Sequence, residues 1–138
     1  MRRWRETPLS RGPLSVIMPP NVVNLAAKFA LFDDLWSPKI VGELNDSFVK
    51  IAKVHGEFVW HHHQDEDELF LVVKGHLKIR LRDGHVDLHP GEFVIIPKGV
   101  EHMPVADEEV QVVLLEPKST LNTGNVRSGR AVENLERL

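Results

Sequence analysis

The 138-residue chain contains no cysteine. That excludes disulfides, thiolate zinc sites, iron–sulfur ligation and a cysteine nucleophile together, and it fits a reducing cytoplasm, the expected location. No stretch approaches the roughly 20 apolar residues of a membrane span. The apolar run behind the first arginines, Leu14 to Met18, is too short for a signal-peptide core. A basic excess is missing too: 17 lysines and arginines stand against 20 acids, with a pI near 6.2. This argues against nucleic acid as a partner, which would need a clustered basic face. No serine sits in a G-x-S-x-G elbow, so serine-hydrolase chemistry has no support. No internal repeat is evident.

Hydrophobic residues make up 42% and charged residues 27% of the chain, the balance of one soluble globular domain. Residues 1–20, with Arg2, Arg3, Arg5 and Arg11, read as an arm that the rest of the chain does not need for folding. Residues 21–118 read as the domain, and residues 119–138 as a tail. Asn21 can cap a helix from Val22 to about Phe32, where Val22, Leu25, Ala26 and Phe29 share helical spacing.

From Lys39 onward the pattern is of short strands between Gly/Pro turns, which indicates an all-β sandwich or barrel. His76 to Arg82 alternates: Leu77, Ile79 and Leu81 face one way, His76, Lys78, Arg80 and Arg82 the other. Lys50 and Lys53 are expected to face outward between Phe48, Ile51 and Val54. Thr120 to Gly129 has loop character, and Ala131 to Leu138 could form a last helical turn.

All eight histidines lie between positions 55 and 102. In an extended segment residues two apart share a face, roughly 6.6 Å apart, so His61 and His63 aim at one point while His62 aims away. Glu68 opens an apolar strand face shared with Phe70 and Val72, where an unpaired carboxylate is costly. Glu66 and Asp67 are alternative carboxylates should the turn be shorter. The turn Pro97-Lys98-Gly99 leads back to His102, a third imidazole for the same place. Three imidazoles and a carboxylate suit Fe(II), Mn(II), Ni(II), Co(II), Cu(II) or Zn(II). His55, His76, His85 and His89 read as surface residues, and Arg80 and Arg82 as a solvated face. Parity puts Phe58 and Trp60 opposite His61 and His63, as a second apolar layer or a dimer interface.

These residues carry a resemblance. Gly56 to Gly75, with His61-x-His63, four residues, Glu68, six residues and Gly75, resembles the first motif of the cupin family. Gly91 to Ala106, with five residues before Pro97-x-Gly99 and two before His102, resembles the second. Two departures stand out: the gap from Gly56 to His61 is four residues instead of five, and Ala106 replaces the last asparagine. The resemblance implies a jelly-roll β-barrel in which His61, His63, Glu68 and His102 bind one divalent transition metal.

The function expected is a mononuclear metalloenzyme, of dioxygenase or isomerase/epimerase type, acting on a small polar organic molecule. A non-catalytic, metal-dependent binding or sensing protein is the alternative. The pocket walls expected from parity are Phe70, Val72, Leu77 and Ile79. The outer apolar face of Glu68 to Val73 needs a cover, and a homodimer that buries Trp60 is expected to supply it.

Overall fold

The computed structural model describes residues 20–138, so the arm expected over residues 1–20 lies outside it except for Pro20. One short helix precedes seven strands: α1 (Leu25–Phe29), β1 (Lys39–Leu44), β2 (Ser47–Glu57), β3 (Glu68–Lys74), β4 (Leu77–Leu81), β5 (Gly84–Leu88), β6 (Phe93–Ile96) and β7 (His102–Pro117). No helix among the described residues is long and apolar enough to cross a membrane.

All pairings between these strands are antiparallel. β7 organises them. Its first residues pair with β4 (Leu81 opposite His102), and its second half is sandwiched between β2 and β3 (Ile51 and Leu71 both opposite Val113). The register of β2 against β7 shifts between Val54 and Gly56. Such an irregularity bends a strand and strengthens its twist, which lets one long strand serve both ends of a curved sheet.

The inward faces of β2, β3, β4 and β7 converge on one core: Ala52, Val54, Phe70, Val72, Leu77, Ile79, Val110, Val112 and Leu114 are all buried. The alternation read in β4 is borne out, since Leu77 and Ile79 are buried and Arg80 is exposed. Each of these aliphatic side chains contributes about 1.5–3 kcal/mol by leaving water. A second cluster, Phe29, Phe32, Ile51 and Val113 with Leu71, Val73 and Leu138 around it, covers the outer side of β2, β3 and β7. The helix and the chain end thus roof part of the face that needed a cover.

Three local expectations are corrected. The helix is five residues long, not eleven, because Asn24 rather than Asn21 caps it, accepting a bond from the Ala27 amide at 3.0 Å. Ala131 to Leu138 is not helical; it runs beside β1, with Ile40 N–H donating to the Glu136 carbonyl and Leu138 N–H to the Ile40 carbonyl. Neither Lys50 nor Lys53 faces solvent. Lys53 folds under the loop after α1 and donates to the Phe32 carbonyl at 2.6 Å. Lys50 points into the barrel.

Candidate metal centre

His61 and His102 are joined backbone to backbone. Each donates its N–H to the other's carbonyl, at 3.1 and 2.9 Å. This isolated bridge sets the two imidazoles 4.3 Å apart, centroid to centroid. Gly99, at φ +81, is the turn residue that lets the chain double back before His102, and its N–H bonds the His63 carbonyl at 2.8 Å. Glu68 enters from the first position of β3. One ligand atom from each of His61, His63, Glu68 and His102 lies within 4.8 Å of the others, and all four residues are buried.

The orientation of the rings is set from behind. His61 Nδ1 lies 2.8 Å from the Val59 carbonyl and His102 Nδ1 lies 2.9 Å from the Val100 carbonyl. A carbonyl only accepts, so each Nδ1 carries a proton and each ring turns its Nε2 inward. This is the backing by which metal-binding histidines are usually held. His102 Nε2 and His63 Nε2 both stand 3.2 Å from Glu68 Oε1. The His102 contact has hydrogen-bond geometry, and a nitrogen and a carboxylate oxygen at that distance are held together by a proton or a metal ion between them. Both ring nitrogens of His63 are buried without a hydrogen bond among the described residues, and its contact with Glu68 lacks hydrogen-bond geometry. Three nitrogens and one carboxylate oxygen, buried and aimed together, with His63 left without a partner among the described residues, therefore fit a divalent transition metal.

Electrostatics agree. Burial, reinforced by the neighbouring His102, pushes the His61 imidazole from 6.5 down to about 4, so the ring stays neutral and able to ligate well below neutral pH. The sign for stability follows. The unfolded ring takes up a proton below about pH 6.5 while the folded ring resists until about 4, so the contribution is complete above 6.5 and is lost as pH falls toward 4. It amounts to about 3 kcal/mol at most. The melting temperature of metal-free protein should fall steadily over that window, and His61→Gln should flatten the fall. An equally steep fall in the variant would contradict this assignment.

The other sequence candidates are not in the group. Glu66 accepts from the Ser119 hydroxyl at 3.0 Å, and Asp67 caps the Lys98 amide at 2.8 Å. His62 lies outside the four ligand positions. Its N–H donates to the Asn125 side chain and its carbonyl accepts from the Asn125 N–H. Gly124 allows this close approach, because a Cβ there would come within 2.2 Å of the His62 oxygen. The tail thus braces the loop that carries His61 and His63, a role no local pattern signals. His55, His76, His85 and His89 are exposed.

A cavity of about 40 Å³ opens beside the group, lined by His61, Glu68, Trp36, Phe58, Phe70, Leu77, Asn122 and Glu116 among others. This has room for roughly three waters, so only a small ligand fits without movement of the walls. Of the expected walls, Phe70 and Leu77 line it, while Val72 and Ile79 belong to the core behind.

Phe58 is corrected: it stands on the cavity side, edge-on to His61 at 5.5 Å and stacked on Trp36 at 4.7 Å. Period-two parity fails because residues 58–60 are not in a regular strand. Trp36 escaped the sequence reading. It sits at φ +58, an unusual conformation for a bulky residue, held by its indole N–H on the His55 carbonyl at 2.9 Å. Trp60 does lie away from the site, beneath Arg82 at 3.9 Å and Arg80 at 5.7 Å, so those arginines cover an aromatic ring and are not a purely solvated face.

Comparison with known proteins accords with this geometry. The family model described as Cupin domain matches residues 47–117. The crystal structure of a cupin-2 domain containing protein from Shewanella frigidimarina NCIMB 400 is 49% identical, with a TM-score of 0.70, covering 70% of this chain and 95% of that one. Two curated relatives come from Bacillus subtilis (strain 168). YdbB is 43% identical over 63 residues, 45% of this chain and 56% of that protein. Acireductone dioxygenase is 32% identical over 75 residues, 51% of this chain and 42% of that protein. The chain spans about half the length of these curated relatives. With the fold, both motifs and the matching family model in agreement, this chain belongs to the cupin family.

Proposed function

We propose that His61, His63, Glu68 and His102 bind one divalent transition metal, and that the chain is a mononuclear metalloenzyme of dioxygenase type acting on a small organic substrate. The observation that carries this reading is the convergence of three imidazoles and one carboxylate within 4.8 Å, at the edge of a small, mostly apolar cavity. The 32% identity to acireductone dioxygenase over 75 residues favours oxygen chemistry over isomerisation. When bound, a metal with four protein ligands keeps open coordination positions for a substrate and a second small molecule.

The chain's own residues supply the rest. Val59 and Val100 hold the ring tautomers, and Trp36, Phe58 and Phe70 exclude water and present flat apolar walls. Such walls suit a small organic molecule, admitted with some movement of the aromatic rings, better than a sugar phosphate, since Lys78 and Arg80 are not among the cavity residues. The test is oxygen uptake by protein reloaded with Fe(II), across small organic acids, phenols, enediols and diketones. Substrate-dependent consumption is expected. Bound iron without uptake on any of them would overturn the dioxygenase reading and favour the metal-dependent binder.

The homodimer is also proposed, with its interface moved. Trp60 is covered by arginines, whereas Phe93 and Ile95, on the outer face of β6, are 60% and 51% exposed. Among the described residues β6 pairs with β3 alone, so its other edge can pair with a second copy about a two-fold axis. Sedimentation should give about twice 15.7 kDa, and Phe93→Glu should yield the monomer. A dimer that survives Phe93→Glu places the interface elsewhere, and a parent chain that sediments as a monomer removes it.

A further inference from the structure

The barrel interior holds a second carboxyl that the metal reading does not use. On the β3–β7 ladder Leu69 stands opposite Leu115 and Phe70 opposite Leu114, so one step further along the same register Glu116 stands opposite Glu68. Both point inward and both border the same cavity. Directly opposite residues on one face have Cβ atoms about 4.5–5.5 Å apart, and like charges there destabilise a sheet. On the β2–β7 ladder Glu116 is opposite Phe48 and Leu114 opposite Lys50, which makes Lys50 the inward diagonal neighbour of Glu116. Its Nζ lies 2.8 Å from Glu116 Oε1, and the two side chains are each 1% exposed. Glu116 Oε2 is buried with no other hydrogen-bond partner, while Glu68 Oε1 is the oxygen turned toward His63 and His102.

We infer that Glu116, anchored by Lys50, is a positioning residue for Glu68 that fixes how the Glu68 carboxylate presents itself to the three imidazoles. A buried lysine–carboxylate pair in an apolar barrel is weak support for stability, because desolvation offsets most of the attraction. Its placement against a ligand matches what outer partners of metal ligands do, and loss of such a partner typically weakens metal binding 10–100-fold. Burial and the adjacent Glu68 charge hold the Glu116 carboxyl well above the usual carboxylate range. Glu116, His102 and His63 hold Glu68 well below it, against burial that would raise it.

The inference rests on the metal reading above, and Co(II) titration of the metal-free protein, followed by visible absorption, separates the two. Glu116→Gln keeps a donor toward Glu68 and an acceptor for Lys50, so its affinity should stay within about threefold of the parent. Glu116→Leu alone strands the Lys50 ammonium and risks misfolding, so the informative variant is Lys50→Met with Glu116→Leu, which swaps the pair for apolar side chains of similar volume. That double variant should melt at or above the parent temperature, yet bind Co(II) about 10–100-fold more weakly and with a changed ligand-field band. Parent-like affinity and band in the double variant overturn the inference, as does a Gln variant that falls as far as the double. A parent chain that takes up no Co(II) overturns the metal reading itself.

Discussion

His102→Ala or His61→Ala should remove nearly all high-affinity metal binding, while His62→Ala should leave it within a fewfold of the parent. Each of the first two removes one of the four atoms that lie within 4.8 Å of one another and leaves an apolar methyl group in its place inside a buried cluster, where a replacement donor is hard to supply. His102 carries the larger effect. It is fully buried and its Nε2 bonds Glu68 Oε1 at 3.2 Å. His62 contributes main-chain bonds to Asn125 that an alanine keeps. Isothermal titration of each metal-free variant with Zn(II) or Co(II) measures this directly. Equal loss in His62→Ala would show that the alternation from His61 to His63 does not govern the site.

The largest stability effect is expected at Glu116. Glu116→Leu leaves the Lys50 ammonium in the barrel with, among the described residues, the Thr120 carbonyl at 3.5 Å as its remaining hydrogen-bond acceptor and the Phe48 ring 6.0 Å away. Breaking a buried pair in this way costs about 3–5 kcal/mol, or a fall in melting temperature of roughly 10 °C or more for a domain of this size. Adding Lys50→Met should recover most of the loss, because no unpaired charge is then left. Thermal melts of the two variants side by side decide it. A single variant as stable as the parent would mean that Lys50 reaches water once Glu116 is gone.

Local pattern carried the reading wherever the chain is a regular strand. Leu77 and Ile79 point inward as their alternation requires, and the spacing His61-x-His63 delivers both rings to one point. It failed where a residue's environment is made by a distant part of the chain. Lys50 looked solvent-facing because lysine seldom lies inside a barrel; what holds it there is Glu116, 66 positions away. Phe58 was assigned to the wrong face because the alternation presumes a strand that ends at Glu57. Gly124 and Asn125 read as plain loop, and only the folded chain shows them clasped to the backbone of His62. The four-residue cluster was legible because its members lie in two short stretches; the residues that hold its side chains in place are scattered from Trp36 to Asn125.

The central claim is that this cupin holds one metal in a three-histidine, one-glutamate site. Elemental analysis of the purified chain, stripped with chelator, reloaded and freed of excess metal by gel filtration, tests it most directly. The account predicts close to one equivalent of divalent transition metal per chain in the parent and almost none in His102→Ala. A parent chain that retains no metal, or a His102→Ala chain that retains a full equivalent, would contradict it.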